Sequence, residues 1–181
     1  MSQNDYVLIL MRGIPSCGKS YRALELANGN KDIICSADSF FGNTPEEYAK
    51  NWTPQKLGLA HKTCQNRVRK LMCEKSNLII VDNTNTKMAE CLPYMALADS
   101  YLYDSVIIEE PTSDWWVNQI KPFLSEREKN QAHLEKMCGF LAEKSKLTHH
   151  VPLDAIKRMM FRYELFTIDE LTSHYYDTKE K

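Results

Sequence analysis

The chain has 181 residues, 43% hydrophobic and 26% charged, with a formal net charge of −1. That length suits one compact domain with a full core, and the composition excludes a disordered or collagen-like chain. Near neutrality excludes a binder held to polyanions by bulk charge, and the chain has neither an apolar run of the roughly 18–20 residues a membrane span needs nor, in its polar residues 1–5, the form of a secretory leader.

Residues 6–12 (YVLILMR) are a near-continuous apolar run, as expected of a strand covered on both faces. A glycine-rich turn and a helix-forming run at 21–28 follow, then a weaker strand at 31–36 (KDIICS). A helix is predicted over 54–75, where Leu57, His61, Cys64, Val68, Leu71 and Met72 recur at three- and four-residue steps. Lys62, Gln65, Arg69 and Lys70 fall on its other side. Residues 78–82 (LIIVD) predict a third strand, 87–100 a helix bent or restarted at Pro93, and 105–109 (SVIIE) a fourth strand. From about Asp114 the pattern is helical only. A long polar-rich stretch at 125–146 is interrupted at Gly139, and Pro152 suits the first residue of a helix reaching Tyr163. Alternating strands and helices argue for an α/β domain with a parallel sheet. With no repeat, low-complexity tract or linker, residues 1–181 read as a single domain.

Charge is unevenly spread. Residues 119–162 carry nine basic and five acidic side chains, with three of the five histidines, while 163–181 are net acidic. The basic segment is either a solvated helix face or a local grip on a polyanion. Cys17, Cys35, Cys64, Cys73, Cys91 and Cys138 show no CxxC or zinc spacing and lie largely in apolar patterns, as reduced thiols do. A cytoplasmic or nuclear chain, monomeric by default, is expected.

Gly13-Ile14-Pro15-Ser16-Cys17-Gly18-Lys19-Ser20 is a complete GxxxxGK[ST] motif between a strand and a helix. Such a loop turns successive backbone N–H groups toward phosphate oxygens at the positive end of a helix. Lys19 would reach the β- and γ-phosphates of ATP or another nucleoside triphosphate, and the Ser20 hydroxyl would bind Mg²⁺. Asp38 follows the second strand, where an open parallel sheet places crevice residues, and a carboxylate there can take the proton of an attacking hydroxyl. The competing role for Asp38 is a helix cap. Asp82 ends the third strand, either as a second Mg²⁺ element or as a turn residue. Asn83, Thr84 and Asn85 form a polar loop at the same edge, open to substrate contact. Trp115 and Trp116 are core anchors or stack on a base. Arg158 and Arg162, four apart, either reach phosphates or form surface ion pairs.

With these stretches in place, the chain resembles the polynucleotide-kinase-like branch of phosphate-loop kinases. That branch includes phage-type polynucleotide 5′-kinases and the kinase-like domains of animal cyclic-nucleotide phosphodiesterases. The matching segments are RGIPSCGKS, ICSADSFF, AHKTCQNRV, LIIVDNTNT, PYMALA, EEPTSDWW and VPLDAIKRMMFRYE, in the family's order across most of residues 6–164. The resemblance implies a three-layer P-loop NTPase-like fold with a central parallel sheet and a helical lid at 119–151, leaving 164–181 as a C-terminal extension. It implies ATP- and Mg²⁺-dependent phosphorylation of a nucleic acid 5′-hydroxyl, on a single strand or overhang. Asp38 would be the general base, Lys19 and Ser20 the triphosphate and metal ligands, and Asp82 a second acidic site residue.

Two departures stand out. The family's lid supplies an arginine shortly before a VP-type turn. Here Arg127 stands beside the Glu128-Lys129-Asn130 sequence, but Val151-Pro152 comes about twenty residues later, after Lys144, Lys146, His149 and His150. The lid therefore carries an insertion, with Arg127 or Lys146 as its candidate cation, and a lysine lacks the planar fork of an arginine. A phosphodiesterase half also needs two H-x-[ST] motifs, and the chain has one, His61-Lys62-Thr63, on the apolar side of its helix. Besides the polynucleotide kinase, two readings stay open: a kinase of nucleosides or other metabolites, and a nucleotide-binding adaptor with little turnover.

Overall fold

A computed structural model describes residues 5–42 and 44–180; most of the polar start, residues 1–4, lies outside them. Strands β1 (Val7–Met11), β2 (Ile34–Cys35), β3 (Leu78–Val81) and β4 (Ser105–Glu109) form one sheet in the order β2-β3-β1-β4. The pairings are parallel, with Ile9 opposite Ile80 and Ile107, and Cys35 opposite Val81. All four strands therefore end at one edge, and the segments that leave them meet there. The helices are α1 (Lys19–Leu26), α2 (Pro45–Asn51), α3 (Leu57–Cys73), α4 (Met88–Ser100), α5 (Asp114–Val117), α6 (Gln131–Ser145), α7 (Leu153–Arg162) and α8 (Ile168–Lys179). Among the described residues no helix is long and apolar enough to cross a membrane.

Side chains alternate along a strand, so a sheet covered twice needs apolar residues at every position. Ile9, Met11 and Ile80 face α1 through Ala23 and Ala27. Leu8, Leu10, Ile79 and Val81 face α3, α4 and α8. This is the three-layer P-loop NTPase-like arrangement. A further apolar cluster lies at the edge of the sheet. There Ile14 and Cys17 pack with Trp116 of α5, Leu134, Met137, Cys138 and Leu141 of α6, Ile156 and Met160 of α7, and Tyr163.

Several expectations are corrected. The second strand shrinks to Ile34–Cys35, preceded by a 3₁₀ turn at Lys31–Ile33. Pro93 sits inside an unbroken α4. Gly139 does not interrupt α6, which begins only at Gln131, and Pro152 caps α7 rather than opening it. His61 is exposed, because the buried face of α3 is Ala60, Cys64, Val68 and Met72. Within 164–181, the segment expected as a C-terminal extension, α8 packs on the core through Leu171, which is fully buried, and the Tyr175 hydroxyl donates to Asp99 at 3.0 Å.

Candidate functional site

The loop that leaves β1 is shaped by its glycines. Gly13 and Gly18 have φ of 148° and 103°, and a Cβ on Gly13 would meet Cys17 Sγ at 2.8 Å. The loop is held from below and from the side. The Gly13 N–H donates to the Thr84 carbonyl at 3.0 Å, and the Ser113 hydroxyl donates to the Cys17 carbonyl at 2.6 Å. Helix α1 then starts at Gly18 with no side-chain cap and no acidic residue in its first turn. In contrast, α8 carries a full Thr167–Glu170 capping box. No capping side chain competes at the positive end of α1, which suits that helix start to an anion. The Lys19 ammonium, largely buried, arches back over the loop and donates to the Ile14 carbonyl at 3.0 Å. Ser20, one residue on, is exposed at the mouth.

Asp82 leaves β3 facing this loop, its own N–H bonded to the Cys35 carbonyl at 2.8 Å. The carboxylate is buried, and its Oδ1 has no hydrogen-bond partner. Burial pushes its pKa above the usual carboxylate range, while the Lys19 charge and a hydrogen bond with the Ser20 side chain pull it back. Asp38 raises it and His149 lowers it by charge alone, so these groups share one space with Asp82.

Asp38 opens a 3₁₀ turn past β2 and is partly exposed. The turn is anchored where the Asn83 side chain accepts the Ala37 N–H at 2.9 Å. The Tyr48 hydroxyl donates to Asp38 Oδ1 at 3.2 Å, and His149 Nδ1 stands 3.7 Å from Oδ2. Burial, with the Asp38 charge adding, raises the Tyr48 pKa, so the phenol keeps its proton and donates. Two carboxylates thus meet one edge in different surroundings, Asp82 dry and Asp38 wet.

The two cations that the sequence offered for a lid, Arg127 and Lys146, stand elsewhere. Arg127 donates to the Tyr163 carbonyl, and its Nε is buried without a partner. It lines an open groove of about 700 Å³ with Lys129, Lys157 and Glu135. Lys146 is exposed and paired with Glu143 at 2.8 Å. Arg162 holds Glu90 and the Thr86 hydroxyl, while Arg158 is exposed.

The polar loop after β3 is structural. Asn83 is buried and donates to the Tyr94 hydroxyl, and Asn85 is buried and donates to the Met11 carbonyl at 2.8 Å. Only Trp116 of the tryptophan pair is a core anchor. Trp115 is 37% exposed and tilts against Phe140. Three residues escaped sequence reasoning. Tyr48 and His149 flank Asp38, and Arg12, fully buried, donates to the carbonyls of Asn85 and Glu164 with its guanidinium 3.6 Å from the Phe166 ring. Position next to the glycine loop was the only signal for Arg12 and membership of the inserted stretch the only one for His149, and none marked Tyr48.

A parallel β2-β3-β1-β4 sheet, with a GxxxxGKS loop feeding an uncapped helix at its carboxyl edge, defines a P-loop nucleotide-binding domain. The chain belongs to the P-loop kinase-like AAA domain family AAA_33, which it matches over residues 8–138. Over 112 residues, 61% of this chain, it is also 37% identical to human (Homo sapiens) NEDD4-binding protein 2, and the match covers 6% of that protein's length.

Proposed function

We propose that the chain is an ATP-dependent 5′-hydroxyl polynucleotide kinase acting on RNA or DNA ends. The observation that carries this reading is the pairing of a buried Asp82 beside Lys19 and Ser20 with a partly exposed Asp38 on the same sheet edge. Environments that separate two carboxylates in this way suit them to different tasks. Asp82 and Ser20 offer hard oxygen donors, and the orphaned Asp82 Oδ1 fits a cation shared with phosphates, so these two residues would hold Mg²⁺. When bound, the ion neutralises charge on the β- and γ-phosphates.

The loop from Gly13 to Ser20 would hold the triphosphate, with Lys19 following charge onto the transferred group. Asp38 accepts the proton of the acceptor hydroxyl as its oxygen bonds the γ-phosphorus and the bond to the ADP oxygen breaks in line. In this reading residues 1–181 act as one kinase domain and 119–151 as its lid, with Arg127 swinging from Tyr163 to the phosphates. The basic 119–162 segment supports a single strand or overhang as partner, bound less tightly as salt rises. Five buried free thiols support a reducing compartment, cytoplasm or nucleus, and we take the chain as a monomer. A second reading, an adaptor that binds nucleotide with little turnover, is favoured by the tie between Arg127 and Tyr163.

Transfer of the ATP γ-phosphate to 5′-hydroxyl oligonucleotides and to nucleosides, measured side by side, tests the proposal. Oligonucleotides should be the better acceptors, and Asp38→Asn should lower kcat by about 10²–10⁴-fold with ATP binding kept. Preference for nucleosides would move the assignment to a small-molecule kinase. ATP binding without acceptor-dependent ADP release would make the chain an adaptor. Full transfer by Asp38→Asn would remove the general base.

A further inference from the structure

The turn between α6 and α7 is the inserted part of the lid, yet it is tightly built. Ser145 is fully buried, and its single hydroxyl proton lies within reach of the carbonyls of Ala142 and Val151, at 2.7 and 3.1 Å from the oxygen. The His150 N–H returns to the Ser145 carbonyl at 2.9 Å, with His150 at a φ of 50°, and the Thr148 hydroxyl donates to the same carbonyl. This closure of the helix end aims His149 at one place. Its ring lies against the Tyr48 ring, with centroids 4.5 Å apart, and its Nδ1 faces Asp38 Oδ2.

We propose that His149 is a positioning residue for Asp38, and that the inserted turn uses it to latch the lid onto the acceptor side of the site. The part of this proposal that concerns turnover rests on the kinase reading. A carboxylate has two oxygens, and Tyr48 holds Oδ1 from the protein body. With its proton on Nδ1, the imidazole faces Oδ2 from the lid, which fixes the carboxylate plane and directs the free lone pair of Oδ2 to the incoming hydroxyl. The latch also couples closure to chemistry: Asp38 is fully oriented only when the turn is seated.

The test joins hydrogen–deuterium exchange of the whole chain with transfer kinetics, on wild type, His149→Ala, His149→Asn and Asp38→Asn. Exchange at 144–152 should quicken severalfold in His149→Ala, which removes the imidazole, and by less in Asp38→Asn, which takes away the charge it faces. In His149→Ala kcat should fall about tenfold with the KM for ATP held within about twofold, and His149→Asn, which keeps a donor, should recover part of the loss. Unchanged exchange at 144–152 in both latch variants would overturn the proposal. So would an unaltered kcat in His149→Ala, or a KM for ATP that rises in step with the loss of kcat, which marks general damage to the site. A wild-type chain that phosphorylates no hydroxyl, while its exchange responds as expected, would sink the kinase reading and sustain the latch.

Discussion

Around the phosphate loop, the sheet itself places the polar groups. Asp82 is pinned by its N–H to β2, Asn83 ties β2 to β3, and the loop hangs from Thr84 and Ser113. Around the lid, the cations are held by partners within the lid or beyond it: Arg127 by Tyr163, Lys146 by Glu143. Yet the halves are not independent, because Ile14 and Cys17 of the loop are buried in the same apolar cluster as α5, α6 and α7. The loop thus has a built frame, while α5, α6 and α7 share its apolar foundation and their candidate cations are engaged away from it.

The sharpest way to break this contrast is to remove one cation from each side. Lys19→Ala should lower kcat by about 10²–10³-fold, the loss typical of a preorganised group aimed at developing charge. Lys146→Ala, an exposed side chain in a surface pair, should change kcat by less than about twofold. A lysine lid cation that carried the transferred charge would reverse that order, and steady-state kinetics on the two variants would show it.

A second comparison separates the two cores. Trp116 is fully buried between the loop and the lid, so Trp116→Ala should cost about 3–5 kcal/mol in urea unfolding and weaken ATP binding by the folded protein. Met72, on the buried face of α3, lies in a different cluster from the loop, and Met72→Ala should cost about 2–5 kcal/mol while leaving ATP affinity unchanged. If both variants bind ATP alike, the lid cluster does not support the loop.

The same contrast explains what was legible in the sequence. Strands covered on both faces must be apolar at every position, so β1 and β3 announced themselves, and with them the loop that leads to Lys19 and the strand-end position of Asp82, while Asp38 follows the weaker β2. The face of α3 was read correctly at Cys64, Val68 and Met72, but at its start Leu57 and His61 stood in for Ala60, a small residue that hydrophobicity alone ranks below Leu57. Asn83 and Asn85 read as substrate contacts since a polar side chain that satisfies buried groups looks, in one dimension, like one that meets a ligand. Helix α8 buries little beyond Leu171 and Tyr175, yet its Thr167–Glu170 capping box was a signal present in the sequence. The nearness of His149 to Asp38, over a hundred residues away, exists only in the folded chain.

Alkaline pH offers the most graded test. Burial pushes the Cys35 and Cys91 thiols, both in the sheet core, from 9.0 to about 12, and Cys138, in the lid cluster, to about 11. A thiol whose pKa is raised on folding contributes stability that is whole below the unfolded value and lost as pH climbs through the folded one. Between pH 9 and 12 the unfolded chain binds fewer protons than the folded chain, so unfolding free energy should fall by up to about 1.4 kcal/mol per pH unit for each thiol. The contributions are not equal: the lid thiol should stop contributing to that slope near pH 11, while the sheet thiols persist to pH 12. Urea melts in Cys138→Ser and Cys91→Ser backgrounds, run at steps across this range, would read the two cores separately. A slope removed equally and over the same pH range by both substitutions would mean that the lid core is as dry as the sheet core.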